Sequence, residues 1–80
     1  MSEAATVEYL RGQLSGRPLT HSELLILSAL ADGMTPEQAA AHLSKSAKTI
    51  NTQLKVIRDK LGAATRTQAV AIAIRRGMIG

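Results

Sequence analysis

The 80-residue chain has no cysteine, no tryptophan and no phenylalanine, and its one aromatic residue is Tyr9. Without thiols there is no disulfide framework, no thiolate zinc site and no iron–sulfur cluster. Without aromatics there is no stacking platform of the kind that single-strand binders and RNA-recognition sheets use. No apolar run approaches the roughly 18–20 residues that a membrane span needs. The N-terminus lacks a cationic start followed by an apolar stretch, so it does not read as a secretory signal. These absences leave the expectation of a soluble, intracellular (cytoplasmic), compact domain that does not span a membrane. A chain this short hides only about 60% of its unfolded surface, so a partner subunit would help its stability.

Ten Lys and Arg stand against six Asp and Glu, and the +4 balance is unevenly placed. Residues 1–18 sum to zero. Residues 19–43 carry Glu23, Asp32 and Glu37 and no Lys or Arg. Residues 44–80 hold eight of the ten cations against Asp59 alone. Such asymmetry points to a polyanion partner, nucleic acid before an anionic membrane surface. A solvated surface that is merely basic would look the same by charge alone.

Helix start signals recur, and no sustained period-2 alternation or hairpin dipeptide marks a strand. The expected fold is all-α, a small four-helix domain over 19–80 behind an N-terminal arm over 1–18. In the arm, Ser2 can cap a short helix over 3–14 that ends before Gly16 and Pro18. Thr20 with Glu23 reads as a capping box ahead of Leu24–Ala31, stopped by Asp32-Gly33. Thr35 with Gln38 is a second box, with Pro36 at the first helical position, where its missing N–H costs nothing. That helix is short and alanine-rich and ends near His42-Leu43. Ser46 caps a helix over about 47–61, stopped by Gly62. Thr65 with Gln68 is a third box and opens a last helix to about Arg76.

The 47–61 segment is the informative one. At 100° per residue, Ile50, Leu54, Ile57 and Leu61 share a narrow stripe, which is core. The opposite face holds Lys48, Thr52, Lys55 and Asp59, flanked by Asn51 and Arg58. Asn can read adenine bidentately, Lys can donate to guanine, and the Thr methyl can touch the thymine methyl. The start of the helix, Ser46 to Lys48, offers free N–H groups to a phosphate. A short helix, a tight turn over Leu43–Lys45 and this longer helix make a helix-turn-helix arrangement. A small all-α interaction domain with a solvated third helix is the competing reading.

The sequence resembles the LuxR-type (GerE-type) helix-turn-helix domain found in many bacterial regulators, the NarL/FixJ response regulators among them. The residues that carry the likeness run in order: Leu19-Thr20, Glu23 and Leu27; Gly33-Met34-Thr35, Gln38, Ala40 and Leu43; Ser46, Thr49 and Ile50; Ile57, Lys60, Leu61 and Gly62; Arg66, Gln68, Ala69 and Val70; Gly77-Met78-Ile79. They span 19–79, about three-quarters of the chain. The resemblance implies a sequence-specific regulator of transcription that binds promoter or operator DNA as a homodimer and works in the nucleoid. It places base reading on Asn51, Thr52 and Lys55, and phosphate contact on Ser46, Lys48 and Thr49, with Arg58 added by charge. Ser22, Glu37, Asn51 and Gln53 depart from residues the family often carries there, and three of these departures remove or reverse a cationic contact.

The run Ala69–Ile74 is apolar for six consecutive residues, more than one buried face needs. One face can pack on the domain and the other must bury elsewhere, with Ala69 and Ile72 against Val70 and Ile74 as the two candidate faces; a dimer interface is expected among Ala69, Val70, Ile72, Ala73 and Arg76. A second functional reading is a small anti-activator that uses this helix to pair with larger LuxR-type regulators. Residues 1–18 are too few for a sensing domain, so a stand-alone regulator is expected, with a C-terminal fragment of a longer regulator as a further reading. His21 and His42 fall on different helices with no metal spacing, and nothing resembles a nucleophile elbow or paired carboxylates. No metal, cofactor or catalytic residue is assigned, and the chain does not read as an enzyme. For Arg66, a phosphate contact competes with a cap or an ion pair to Glu23 or Asp32.

Overall fold

The computed structural model describes residues 13–80. Four α-helices follow one another: α1 (His21–Ala31), α2 (Pro36–His42), α3 (Ala47–Leu61) and α4 (Arg66–Arg75). No strand occurs among the described residues, so the expected all-α, four-helix architecture is the one the chain adopts. Most of the expected arm helix over 3–14 lies outside the described residues; Gln13 and Leu14, at its end, are helical.

Each of these four helices starts on a hydroxyl. Thr20 Oγ1 accepts from the Glu23 N–H at 3.2 Å, and Glu23 Oε1 accepts from the Thr20 N–H at 2.7 Å. Thr35 and Gln38 repeat the reciprocal pair at 3.1 and 2.9 Å. Each such cap removes orphan donors that would otherwise weaken the helix, by about 1 kcal/mol. Ser46 and Thr65 also cap, accepting from Thr49 and Gln68 at 3.0 and 3.1 Å. The third expected box is only half formed. Gln68 Oε1 takes the N–H of Ala64 at 2.7 Å instead of that of Thr65. Thr65 has φ −133°, against −78° and −73° at Thr20 and Thr35. That rotation swings its N–H off the first turn and leaves the preceding one in reach.

The helix ends also share one pattern, a left-handed residue closing two reversed hydrogen bonds. Gly33, Gly62 and Gly77 take this position in three of them, at φ 96°, 68° and 68°. In the fourth, between α2 and α3, the residue is Ser44 at φ 55°. Its N–H donates to Ala41 O at 3.3 Å, and Lys45 N–H donates to Ala40 O at 2.8 Å. A serine Cβ carries a steric cost in this conformation that glycine avoids.

The core gathers Ile26 and Leu27 from α1, Ala40 from α2, Ile50, Leu54, Ile57 and Leu61 from α3, and Ala69 and Ala73 from α4. Four of these side chains, Ile26, Leu27, Ile50 and Ile57, are fully enclosed. Each is worth about 1.5–3 kcal/mol relative to exposure. Helices α1 and α3 each pack against all three others. The small Ala39 and Ala40 are buried, which lets α2 lie close against α3.

One charged pair sits at the edge of this core. Lys60 Nζ lies 2.7 Å from Glu23 Oε1, with the side chains 11% and 6% exposed. Glu23 therefore pairs with Lys60 from the end of α3, and not with Arg66, which is exposed at the start of α4. The backbone of Lys60 is engaged too: its carbonyl accepts from the Gly16 N–H at 3.0 Å, tying the end of the N-terminal segment to α3.

Candidate nucleic-acid interface

Helix α3 is strongly amphipathic. Its inward stripe is Ile50, Leu54, Ile57 and Leu61. Its outward strip carries Lys48, Asn51, Thr52 and Lys55, all exposed, and continues to the half-buried Arg58 and Asp59. At 1.5 Å per residue, Lys48 to Arg58 spans about 15 Å, close to the reach of a helix laid in a major groove. The short α2 and the three-residue turn set α3 against the body of the domain and leave this strip clear.

Hydrogen bonding divides the labour among the polar residues. Ser46 Oγ accepts from the Thr49 N–H and donates to Thr49 Oγ1 at 2.9 Å. Ser46 thus has no hydroxyl proton left for an anion, whereas Thr49 keeps its own. Thr52 Oγ1 donates to Lys48 O at 3.0 Å. Its proton is engaged within the helix, so Thr52 presents a methyl group and an acceptor. Asn51, Lys48 and Lys55 have exposed ends. The structure brings the expected base-reading residues Asn51, Thr52 and Lys55 onto one accessible surface. Of the expected phosphate residues, Lys48 and Thr49 stand at its start, while Ser46 is the cap.

Gln53 had no assigned role in the sequence. Its Nε2 donates to Ser22 Oγ at 3.2 Å, bridging α3 to α1, and its Oε1 is enclosed without a partner among the described residues. Both residues of this bridge were noted only as departures from the family pattern. Their pairing across 31 positions has no local signal.

The expected dimer face needs correction. Ala69 and Ala73 are 0% exposed and sit in the domain's own core. They are the residues that let α4 approach α1 and α3, so they are not available to a second chain. Val70 and Ile72 are half-buried and packed against that core. The outer side of α4 instead presents Ile74, 50% exposed, with Ala71, Arg75 and the exposed Arg76 beside its end.

His21 and His42 are both exposed and lie on α1 and α2. No helix of the described residues is long and apolar enough to cross a membrane.

The comparisons agree with this geometry. The model of the family described as bacterial regulatory proteins, luxR family, matches residues 17–73. The chain is 36% identical over 72 residues, 90% of its length, to the transcriptional regulatory protein YdfI of Bacillus subtilis (strain 168). It is 40% identical over 62 residues, 78% of its length, to the uncharacterized transcriptional regulatory protein YxjL of the same organism. Those stretches make up 34% and 28% of the two relatives, so the chain spans about a third of their length or less. The matched region contains all of α1, α2 and α3 and most of α4, and on that match the chain belongs to the LuxR family of bacterial regulatory proteins.

Proposed function

We propose that this chain is a sequence-specific double-stranded DNA-binding transcriptional regulator that lays α3 in the major groove. The observation that carries the reading is the outward strip of α3, which combines Lys48 and Lys55 with the base-edge chemistry of Asn51 and Thr52 on one exposed surface. Lys48, Thr49 and Arg58 attract and position the phosphate backbone; Asn51, Thr52 and Lys55 discriminate among bases. Ser46 supports them by fixing the start of the helix. Two copies, joined through the outer side of α4 around Ile74, would present two α3 helices to half-sites about one helical turn apart. The chain would act in the cytoplasm, on the nucleoid.

The test is selection from a random-sequence duplex pool across a salt series, with sequencing of what is retained. A two-fold-symmetric motif, with log affinity falling steeply against log salt, is the expected result. No retention at low salt, from protein that circular dichroism shows to be helical, overturns the reading and favours pairing with a larger regulator.

A further inference from the structure

Arg58 borders two adjoining surface clefts, which also share Ala64. One, of about 340 Å³, carries Lys55 and Asp59 on its wall. The other, of about 300 Å³, carries Asn51, Thr65 and Arg66. The first cleft includes a carboxylate, which opposes an anion. The second has two guanidinium groups and no carboxylate in its lining.

The two arginines come from different elements, Arg58 from α3 and Arg66 from the start of α4. Arg58 Nε is shut away from solvent with no hydrogen-bond partner among the described residues. Of the two acids the sequence offers Arg66, Glu23 and Asp32, the first is engaged by Lys60. The loop that brings Arg66 to the cleft is held in shape by the bond from the Ala64 N–H to Gln68 Oε1. Asn51 and Arg58 are seven residues apart on α3 and so lie on one face, with the cleft reaching from one to the other.

We propose that Arg58 and Arg66 together hold a single backbone phosphate of the DNA strand whose bases Asn51 faces. The inference rests on the reading of α3 as a DNA-binding helix and adds a residue of α4 to it. Paired guanidinium groups suit a phosphate, since each offers a planar fork of donors. The second guanidinium, that of Arg66, and the acid-free lining of this cleft make it the better of the two sites. The contact is sequence-independent. It fixes how far along the groove α3 sits, and so sets the register in which Asn51 and Thr52 meet the bases.

The test uses the 80-residue chain, a 30-base-pair duplex of random sequence and a salt series. Arg66→Gln and Arg58→Gln are each expected to bind about tenfold more weakly at low salt. Because both hold one phosphate, the double variant should fall well short of the hundredfold loss of two independent contacts. Arg66→Lys, which keeps the charge and loses the fork, should lie between Arg66→Gln and the parent. Arg17→Gln removes the same charge from the exposed N-terminal segment and should bind within twofold of the parent. Circular dichroism and thermal melting confirm that each variant is folded. Arg66→Gln binding as well as the parent overturns the proposal, as do fully multiplicative losses or an equal loss in Arg17→Gln. A parent chain that binds no duplex overturns this proposal and the DNA-binding reading together. A parent that binds, beside an inert Arg66→Gln, overturns this proposal alone.

Discussion

Lys60 and Glu23 meet at 2.7 Å between the end of α3 and the first turn of α1, and this pair makes stability sensitive to acid. Burial by itself raises the Glu23 carboxyl. The hydrogen bond from Lys60, the backbone N–H of Thr20, the Lys60 charge and the Thr20 hydroxyl outweigh it and hold the group below its ordinary value. A carboxyl depressed in the folded state contributes stability that is fully present above its unfolded value, about 4.3, and is lost as pH falls through the folded value. Urea unfolding should therefore give level stability from pH 7 to about 5 and a decline below about 4.3. Glu23→Gln should flatten that decline and cost on the order of 3 kcal/mol at pH 7, because Lys60 is left unpaired where it is nearly enclosed. An unchanged acid limb in Glu23→Gln would assign the decline to other groups.

Ser44 occupies a left-handed position that glycine fills at three other helix ends of this chain. Ser44→Gly removes the Cβ penalty, offset in part by the greater freedom of glycine in the unfolded state. A net gain of about 0.5–1 kcal/mol is expected, or roughly 3–6 °C in Tm for a domain of this size. A calorimetric or circular-dichroism melt reads it directly. A lower Tm would mean that the serine hydroxyl contributes more than the strain removes.

Local chemistry explains which features were legible in the sequence. Thr20, Thr35, Ser46 and Thr65 announce their helices because a cap is decided within four residues. The α3 stripe of Ile50, Leu54, Ile57 and Leu61 is legible because period alone assigns it to the core. The choice of which side of α4 is buried was not legible. Ala69–Ile74 is apolar all round, so period gives no preference, and packing selected the small side chains Ala69 and Ala73 for the close approach to α1 and α3. The partners of Glu23 and Gln53 lie 37 and 31 residues away, and only the assembled helices bring them together. The half-formed box at Thr65 turned on one φ angle, which residue type does not fix.

The hydrogen bond from Thr52 to Lys48 O makes a specific forecast for base reading. If the Thr52 proton is held by the helix, only its methyl and acceptor face the groove. Thr52→Val should bind the selected site nearly as well as the parent when the methyl is the contact. Thr52→Ser and Thr52→Ala should each lose about 1–3 kcal/mol on that site and little on random duplex. Asn51→Ala should show the same selectivity. Lys48→Ala should weaken all duplexes alike and lower the salt slope by about one. Equal losses for Thr52→Val and Thr52→Ala would show that the hydroxyl leaves Lys48 and reads a base.

The two sides of α4 should respond to substitution in different ways. Ile74 is 50% exposed and touches solvent on the outer side, while Ala73 is 0% exposed. Ile74→Lys places a charge where a second copy would pack, and the folded chain can hold that charge in water. It should leave the unfolding free energy within about 0.5 kcal/mol of the parent, as surface changes generally do. It should shift sedimentation equilibrium toward monomer and abolish cooperative binding to a two-fold site. Ala73→Leu instead overfills the core and should cost about 1–3 kcal/mol of stability at every protein concentration. The discriminating quantity is concentration dependence. An Ile74→Lys protein that still self-associates as the parent does would move the interface off α4, and Leu25 of α1, 43% exposed, is then the next position to charge.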